Sequence, residues 1–302
     1  MTRYERENNG RWNAVQAGMF LLVIFLLYTG LTSIRAESGE AVVSVDARAA
    51  VLLDADTGEV LFQQNADKAL PPASMSKMMT ELIVLDEVES ESIRWSDKVR
   101  VSAYAAAVPG ARMGLLLGDE LTVRELFDAM TVHSANDAAV ALAEHIAGSE
   151  SAFVRRMNER AREIGLSDDT LFGNASGLGS EHITHLAGAS AERDTVMTAM
   201  DTALLGGFLI GKYPEVLVIS SMPSVKVSTQ SHPLAATNLM LANKPFSYPG
   251  NNGLKTGYTP SAGYCFTGTV SRDGRRVISV VMGAASAEKR FVETKKLYEL
   301  VF

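Results

Sequence analysis

Two β-rich blocks stand at opposite ends of this chain with a long helical block between them, and that order constrains the fold most. Near the start, "AAVLLDADTGEVLFQQN" holds two strand-like runs around Asp54–Gly58, a hairpin signal. Towards the end, "EVLVISS", "SVKVSTQ", "GLKTGYT", "GYCFTGTV" and "RRVISVVMG" read as short strands. The last two are joined through Ser271–Gly274, which contains an Asp-Gly turn. An amphipathic helix over about Glu288–Val301 closes the chain.

The middle is helical. A helix is expected from about Ser74 to Val88, where Met75, Met78, Met79, Leu82, Ile83 and Leu85 give a wide apolar stripe. Thr122–Glu125 is a capping box opening an apolar-periodic run to Val132. "ANDAAVALAEHIAG" follows, stopped by Gly148, then a charged amphipathic helix over about Ser151–Ile164, closed by Gly165, and another over about Ala191–Leu205. Strands at both ends around inserted helices imply an α+β (α/β) fold: one antiparallel sheet completed by both ends of the chain and flanked by helices, with an inserted helical lobe.

Ala17–Ile34 carries no charge, follows Arg3, Arg6 and Arg11, and precedes Arg35 and Glu37. Eighteen helical residues span about 27 Å, close to a bilayer core. Residues 1–36 therefore read as an export segment, either a signal peptide cut after Ala36 or a retained signal anchor with its Arg-bearing end inside. Ile34 fits the small-residue cleavage rule poorly, and both readings stay open. Residues 37–302 form the working domain, expected on the outer face of the cytoplasmic membrane or secreted to the cell wall. A net charge of −7 gives no cationic surface for nucleic acid. The single cysteine, Cys265, lies in an apolar strand-like run; it excludes an intramolecular disulfide and reads as a buried small hydrophobe.

Three short motifs carry candidate chemistry. In "PPASMSKMMT", Ser74 can be a helix cap, yet Lys77 three residues on shares its helix face. A lysine desolvated there and near other cations has a lowered pKa and can serve as a general base for a serine nucleophile. In "TVHSANDAAV", Ser134 and Asn136 can simply restart a helix, or can act as hydroxyl relay and as amide ligand for a substrate peptide group. In "NNGLKTGYT", Lys255 and Thr256 can be edge-strand solubility residues or can bind a substrate carboxylate, with Gly257 letting a substrate backbone lie against the strand.

In this order, on helix start, inter-helix turn and strand, the motifs make the chain resemble the serine D,D-peptidases of the penicillin-binding family, specifically the low-molecular-mass D-alanyl-D-alanine carboxypeptidases. The resemblance covers about Ala41–Phe302 and extends to "NASGL" and "GYCFTG". It implies a β-lactamase/transpeptidase-like fold in which Ser74 is acylated, Lys77 is its base, and Ser134 and Lys255 carry protons. Asn136 and Thr256 would hold the substrate, and the backbone N–H groups of Ser74 and Tyr258 would form the oxyanion hole. The implied substrates are peptidoglycan stem peptides ending in D-Ala–D-Ala; β-lactams are implied as covalent inhibitors, and no cofactor or metal is implied. If the N-terminal segment is uncleaved, the membrane is a further partner.

The chain departs from the family pattern twice. It stops after the last helix, so no β-rich second domain is expected after it. Where relatives carry Arg just after the last strand, it has "MGAASAEKR", with Arg290 too far on to be assigned to the site. A class A β-lactamase is disfavoured by Ala135 in the middle motif and by the missing Glu-x-x-x-Asn. A metallocarboxypeptidase is disfavoured because His182 and His185 have no Glu between them. A domain that senses β-lactams or peptidoglycan without turnover remains the alternative in another class.

Overall fold

The computed structural model describes residues 43–302, so the apolar segment at 17–34 lies outside the described residues. The elements run β1 (Ala49–Asp54), β2 (Val60–Gln64), α1 (Lys77–Glu89), β3 (Lys98–Arg100), α2 (Ala103–Ala107), β4 (Glu120–Thr122), α3 (Val123–Asp128), α4 (Asn136–Ala147) and α5 (Glu150–Glu163). They continue with α6 (Ala199–Lys212), α7 (Val216–Ser220), β5 (Ser224–Val225), β6 (Leu234–Ala235), β7 (Asn251–Thr259), β8 (Gly263–Arg272), β9 (Arg275–Ala284) and α8 (Lys289–Tyr298).

The main sheet has the order β2-β1-β9-β8-β7 and is antiparallel throughout, so both ends of the chain complete it as expected. All six residues of β1 are buried, as are Val277–Met282 at the centre of β9. Such strands read as unbroken apolar runs because helices cover both faces: α6 packs against β1 and β9, and α8 against β8 and β9. Arg272 pairs with Arg275, leaving Asp273 (φ 52°) and Gly274 (φ 77°) as a two-residue turn, the left-handed pair that an Asp-Gly hairpin favours. Strand β7 ends the sheet and carries the Lys255-Thr256-Gly257 motif at its centre.

In the helical lobe, every residue of α1 from Lys77 to Leu85 is buried. A helix apolar nearly all round needs neighbours on every side, and α4, α5 and α6 supply them. The capping box at Thr122 and Glu125 forms in full, and Gly148 ends α4 in the left-handed region at φ 76°.

Five expectations change. Ser74 is not the cap of a long helix: Ala73–Ser76 form a 3-10 turn, and α1 begins at Lys77. The run to Val132 leaves α-helical geometry after Asp128 and becomes a π-helical turn over Ala129–His133. "EVLVISS" is the short helix α7: Val216, Ile219 and Ser220 are buried while Val218 is exposed, the helical spacing rather than strand alternation. The helix placed at 191–205 lies at Ala199–Lys212, because Val196 and Met197 bridge to Leu171 and Leu70 before Thr198 caps it. Gly206 sits inside α6, where an added Cβ would lie 3.2 Å from Leu254 Cδ1; it lets the helix approach the sheet. "SVKVSTQ" contributes only Ser224–Val225, paired with Leu234–Ala235.

Candidate active site

Ser74 stands in the 3-10 turn with its Oγ 2.9 Å from Lys77 Nζ. Two glycine positions let other segments close on this turn. A Cβ on Gly257 of β7 would meet Pro72 O at 2.6 Å and Ser74 N at 3.2 Å, so the bare strand packs directly against the nucleophile turn. Gly257 also lines the cleft, so its bare backbone borders both the turn and the open space. Gly177 (φ 77°) packs from the other side, where a Cβ would meet Ala73 O at 2.1 Å. Asn174 shapes that loop: its Oδ1 accepts from the backbone N–H groups of Ser176 and Gly177, and its Nδ2 donates to Leu178 O.

Lys77 is fully buried and its Nζ meets three groups. Asn136 Oδ1 and Ser176 O, both at 2.7 Å, can only accept, so they take two N–H donors. The Asn136 amide is oriented by its Nδ2, which donates to Pro109 O at 2.7 Å. The third direction points at Ser74 Oγ, which can donate as well as accept. A neutral amine satisfies this arrangement completely: two donors used, and one lone pair aimed at the Ser74 hydroxyl proton. Burial, then the nearby Lys255 charge, hold Lys77 well below the ordinary lysine range, which favours that neutral form.

Lys255 is 1% exposed and donates to Ser134 Oγ at 2.6 Å. It lies behind Ser134 rather than among the residues lining the cleft. Burial lowers its pKa to about 8. Ser134 ends the π-helical turn in the left-handed region at φ 68°, a conformation costing a non-glycine residue roughly 1–3 kcal/mol. The backbone N–H of Asn136 anchors the first turn of α4 by donating to Ala111 O at 2.7 Å.

Above these groups opens a cleft of about 260 Å³, lined by Ser74, Ser134, Asn136, Thr256, Gly257 and Tyr258, with Gly110, Ala111 and the Gly177–Leu178 pair opposite. The structure thus brings together the residues of all three motifs. Two polar lining residues escaped sequence reasoning. Thr237, from the irregular segment after β6, accepts from Thr256 Oγ1 at 2.7 Å. Arg290 reaches the cleft after all: α8 packs on β8 and β9, and the Arg290 guanidinium at its start donates to Gly257 O at 3.2 Å. The irregular sequence around Thr237 offered no signal, and Arg290 is adjacent to the motif only through the sheet. Cys265 is buried as expected, and burial pushes its thiol up to about 11, away from reactivity.

The chain matches the D-alanyl-D-alanine carboxypeptidase family over residues 35–286. It is 35% identical over 260 residues to D-alanyl-D-alanine carboxypeptidase DacF of Bacillus subtilis, covering 85% of this chain and 62% of that protein. The chain thus spans somewhat under two thirds of that relative's length. Among solved structures it is similar to the ampicillin-bound form of penicillin-binding protein D2 from Listeria monocytogenes, with a TM-score of 0.75 and 38% identity over 85% of this chain and 98% of that one. It is also similar to a peptidoglycan synthesis regulatory factor, PBP3, from Streptococcus pneumoniae, with a TM-score of 0.80 and 34% identity over 85% and 73%. With the three motifs converging on one cleft and the match spanning most of its length, the chain belongs to the D-alanyl-D-alanine carboxypeptidase family.

Proposed function

We propose that this protein is an extracytoplasmic serine D,D-carboxypeptidase that removes the terminal D-alanine from peptidoglycan stem peptides and is acylated by β-lactams. The observation that carries the reading is the 2.9 Å contact between the buried Lys77 Nζ and Ser74 Oγ, its two other partners being acceptors only. Lys77 takes the hydroxyl proton as Ser74 Oγ attacks the carbonyl of the D-Ala–D-Ala bond. Negative charge on the carbonyl oxygen falls to the backbone N–H groups of Ser74 and Tyr258, whose residues both border the cleft. The Lys255 ammonium, through its 2.6 Å contact to Ser134 Oγ, supplies a proton path to the departing D-alanine amine. Water then takes the place of the amine, and hydrolysis of the ester frees Ser74.

Terminal carboxylate recognition falls to Thr256, Thr237 and Arg290 together, since these border the cleft beside β7. Arg290 is the cation that lines this wall; Lys255 contributes charge from behind Ser134. Asn136 fixes Lys77 and presents its amide to the substrate. The export reading of residues 1–36 rests on their sequence, and it puts the site on the side of the membrane where peptidoglycan is found. No helix among the described residues is long and apolar enough to cross a membrane.

Ser74→Ala tests the assignment. With a fluorescent penicillin the wild type should gain one covalent adduct by intact mass, and the alanine variant none at equal thermal stability. An adduct of the same mass on Ser74→Ala removes Ser74 as the nucleophile.

A further inference from the structure

Beneath the cleft lies a carboxylate that the acylation chemistry leaves unused. Glu81 stands one turn beyond Lys77 on α1, on the same helix face, and is 2% exposed. Its Oε1 has no hydrogen-bond partner among the described residues. The buried hydroxyl of Thr131, on the π-helical turn that leads to Ser134, is beside it and likewise has no close partner among the described residues; its approach to the carboxylate falls short of a full hydrogen bond yet favours the ionised form. A buried carboxylate with an open oxygen is costly unless a neighbour needs its charge.

Two neighbours do. Lys255 on β7 is the strongest attracting charge on Glu81, and Glu81 the strongest attracting charge on Lys255; Lys77 comes second for Glu81. The remaining charged groups around α1 are otherwise engaged. Asp137 on α4 accepts from the backbone N–H groups of Met113, Gly114 and Leu115. Arg290 on α8 adds positive charge near Lys255 and donates to Gly257 O. Arg156 and Arg160 on α5 and Lys212 on α6 meet Asp86, Glu87 and Glu89 at the far end of α1.

We propose that Glu81 is a positioning residue that acts on protons: its carboxylate is the internal counter-charge that keeps Lys255 an ammonium while Lys77 remains a free amine. The inference rests on the reading of Lys77 as base and Lys255 as cation. Glu81 attracts a proton onto Lys77 as well, and for Lys77 burial and the neighbouring Lys255 charge outweigh it. Burial raises Glu81 and lowers Lys255, and the opposite charge of each works against that shift in the other, so the two favour the carboxylate–ammonium state together. Glu81 attracts only when ionised, so its loss lets Lys255 shed its proton at lower pH.

The experiment is the second-order rate of acylation by a fluorescent penicillin across pH 5 to 10, for the wild type, Glu81→Gln, Glu81→Met and Lys77→Arg, each checked by thermal melting. In Glu81→Gln the alkaline limb should move down by roughly one pH unit or more. Glu81→Met removes the same charge with a different shape and should move it in the same direction; it carries the test if the glutamine variant does not fold. Limbs that superimpose on the wild type in the folded variants overturn the inference, leaving Glu81 a packing residue. Lys77→Arg separates this from the underlying reading, since arginine cannot act as a base near neutrality. Acylation retained in Lys77→Arg overturns the base assignment and the inference with it, whereas an inactive Lys77→Arg beside unmoved limbs overturns the inference alone.

Discussion

Asn136→Asp is nearly isosteric, yet it should reverse the electrostatics of the nucleophile. In the native site Asn136 Oδ1 lies 2.7 Å from Lys77 Nζ and Nδ2 donates to Pro109 O at 2.7 Å. Aspartate places a negative charge at the first contact and an acceptor against an acceptor at the second. An opposite charge within about 4–6 Å raises a lysine pKa by roughly 1–3 units, and contact distance argues for the upper end. Each unit is about 1.4 kcal/mol and up to tenfold less free amine at a pH below the new pKa. Acylation by penicillin at pH 7 should therefore fall by about two to three orders of magnitude, and should recover in part as the pH rises towards 10. Losing the Pro109 contact adds roughly 1–3 kcal/mol of destabilisation, visible in urea unfolding. The assay is the acylation rate constant as a function of pH on folded protein. A loss of equal size at every pH refutes the reasoning: Asn136 would then shape the site without setting the protonation of Lys77.

Thr256→Val deletes a hydroxyl that faces Thr237 and the cleft, and should lower kcat/KM for a stem peptide with a free terminal carboxylate by about one to two orders of magnitude, each charge-assisted bond being worth roughly 1.5–3 kcal/mol. A peptide amidated at that carboxylate should lose little; equal losses for both would show that Thr256 shapes the strand instead. Away from the site, Asp54 accepts from Arg275 Nε and from the backbone N–H groups of Asp56 and Thr57, and Arg275 is the main reason its carboxyl is held at about 2 against the ordinary 3.8. A lowered folded pKa stabilises above the unfolded value and is lost as pH falls through the folded one, so Asp54→Ala should cost roughly 2 kcal/mol at pH 7 and progressively less from pH 4 to pH 2 by urea unfolding, whereas a pH-independent cost would assign the loss to packing.

The residues that act through local spacing were legible in the sequence. Ser74 and Lys77 are three apart and meet at 2.9 Å, and the hairpin strands β8 and β9 are announced by Asp273-Gly274. What failed depends on partners far along the chain. The first turn of the nucleophile segment is 3-10, and Gly177 and Gly257 bring two remote backbones against it, a proximity no local pattern records. "EVLVISS" has strand composition, but its burial follows a helical period set by the surface it covers. Arg290 and Gly257 are 33 residues apart and touch only because α8 packs back over the sheet. Thr237 sits in an irregular segment, where neither periodicity nor a motif marks a side chain for the cleft.

The central claim is turnover at Ser74, and release of D-alanine measures it most directly. A fragment lacking residues 1–36, incubated with a stem peptide ending in D-Ala–D-Ala, should liberate one D-alanine per peptide over many cycles per enzyme. Ser74→Ala should release none, and prior exposure of the wild type to penicillin should stop the release. A folded wild-type fragment that binds penicillin covalently yet frees no more than one D-alanine per molecule would contradict the account and make the domain a sensor that acylates without turnover.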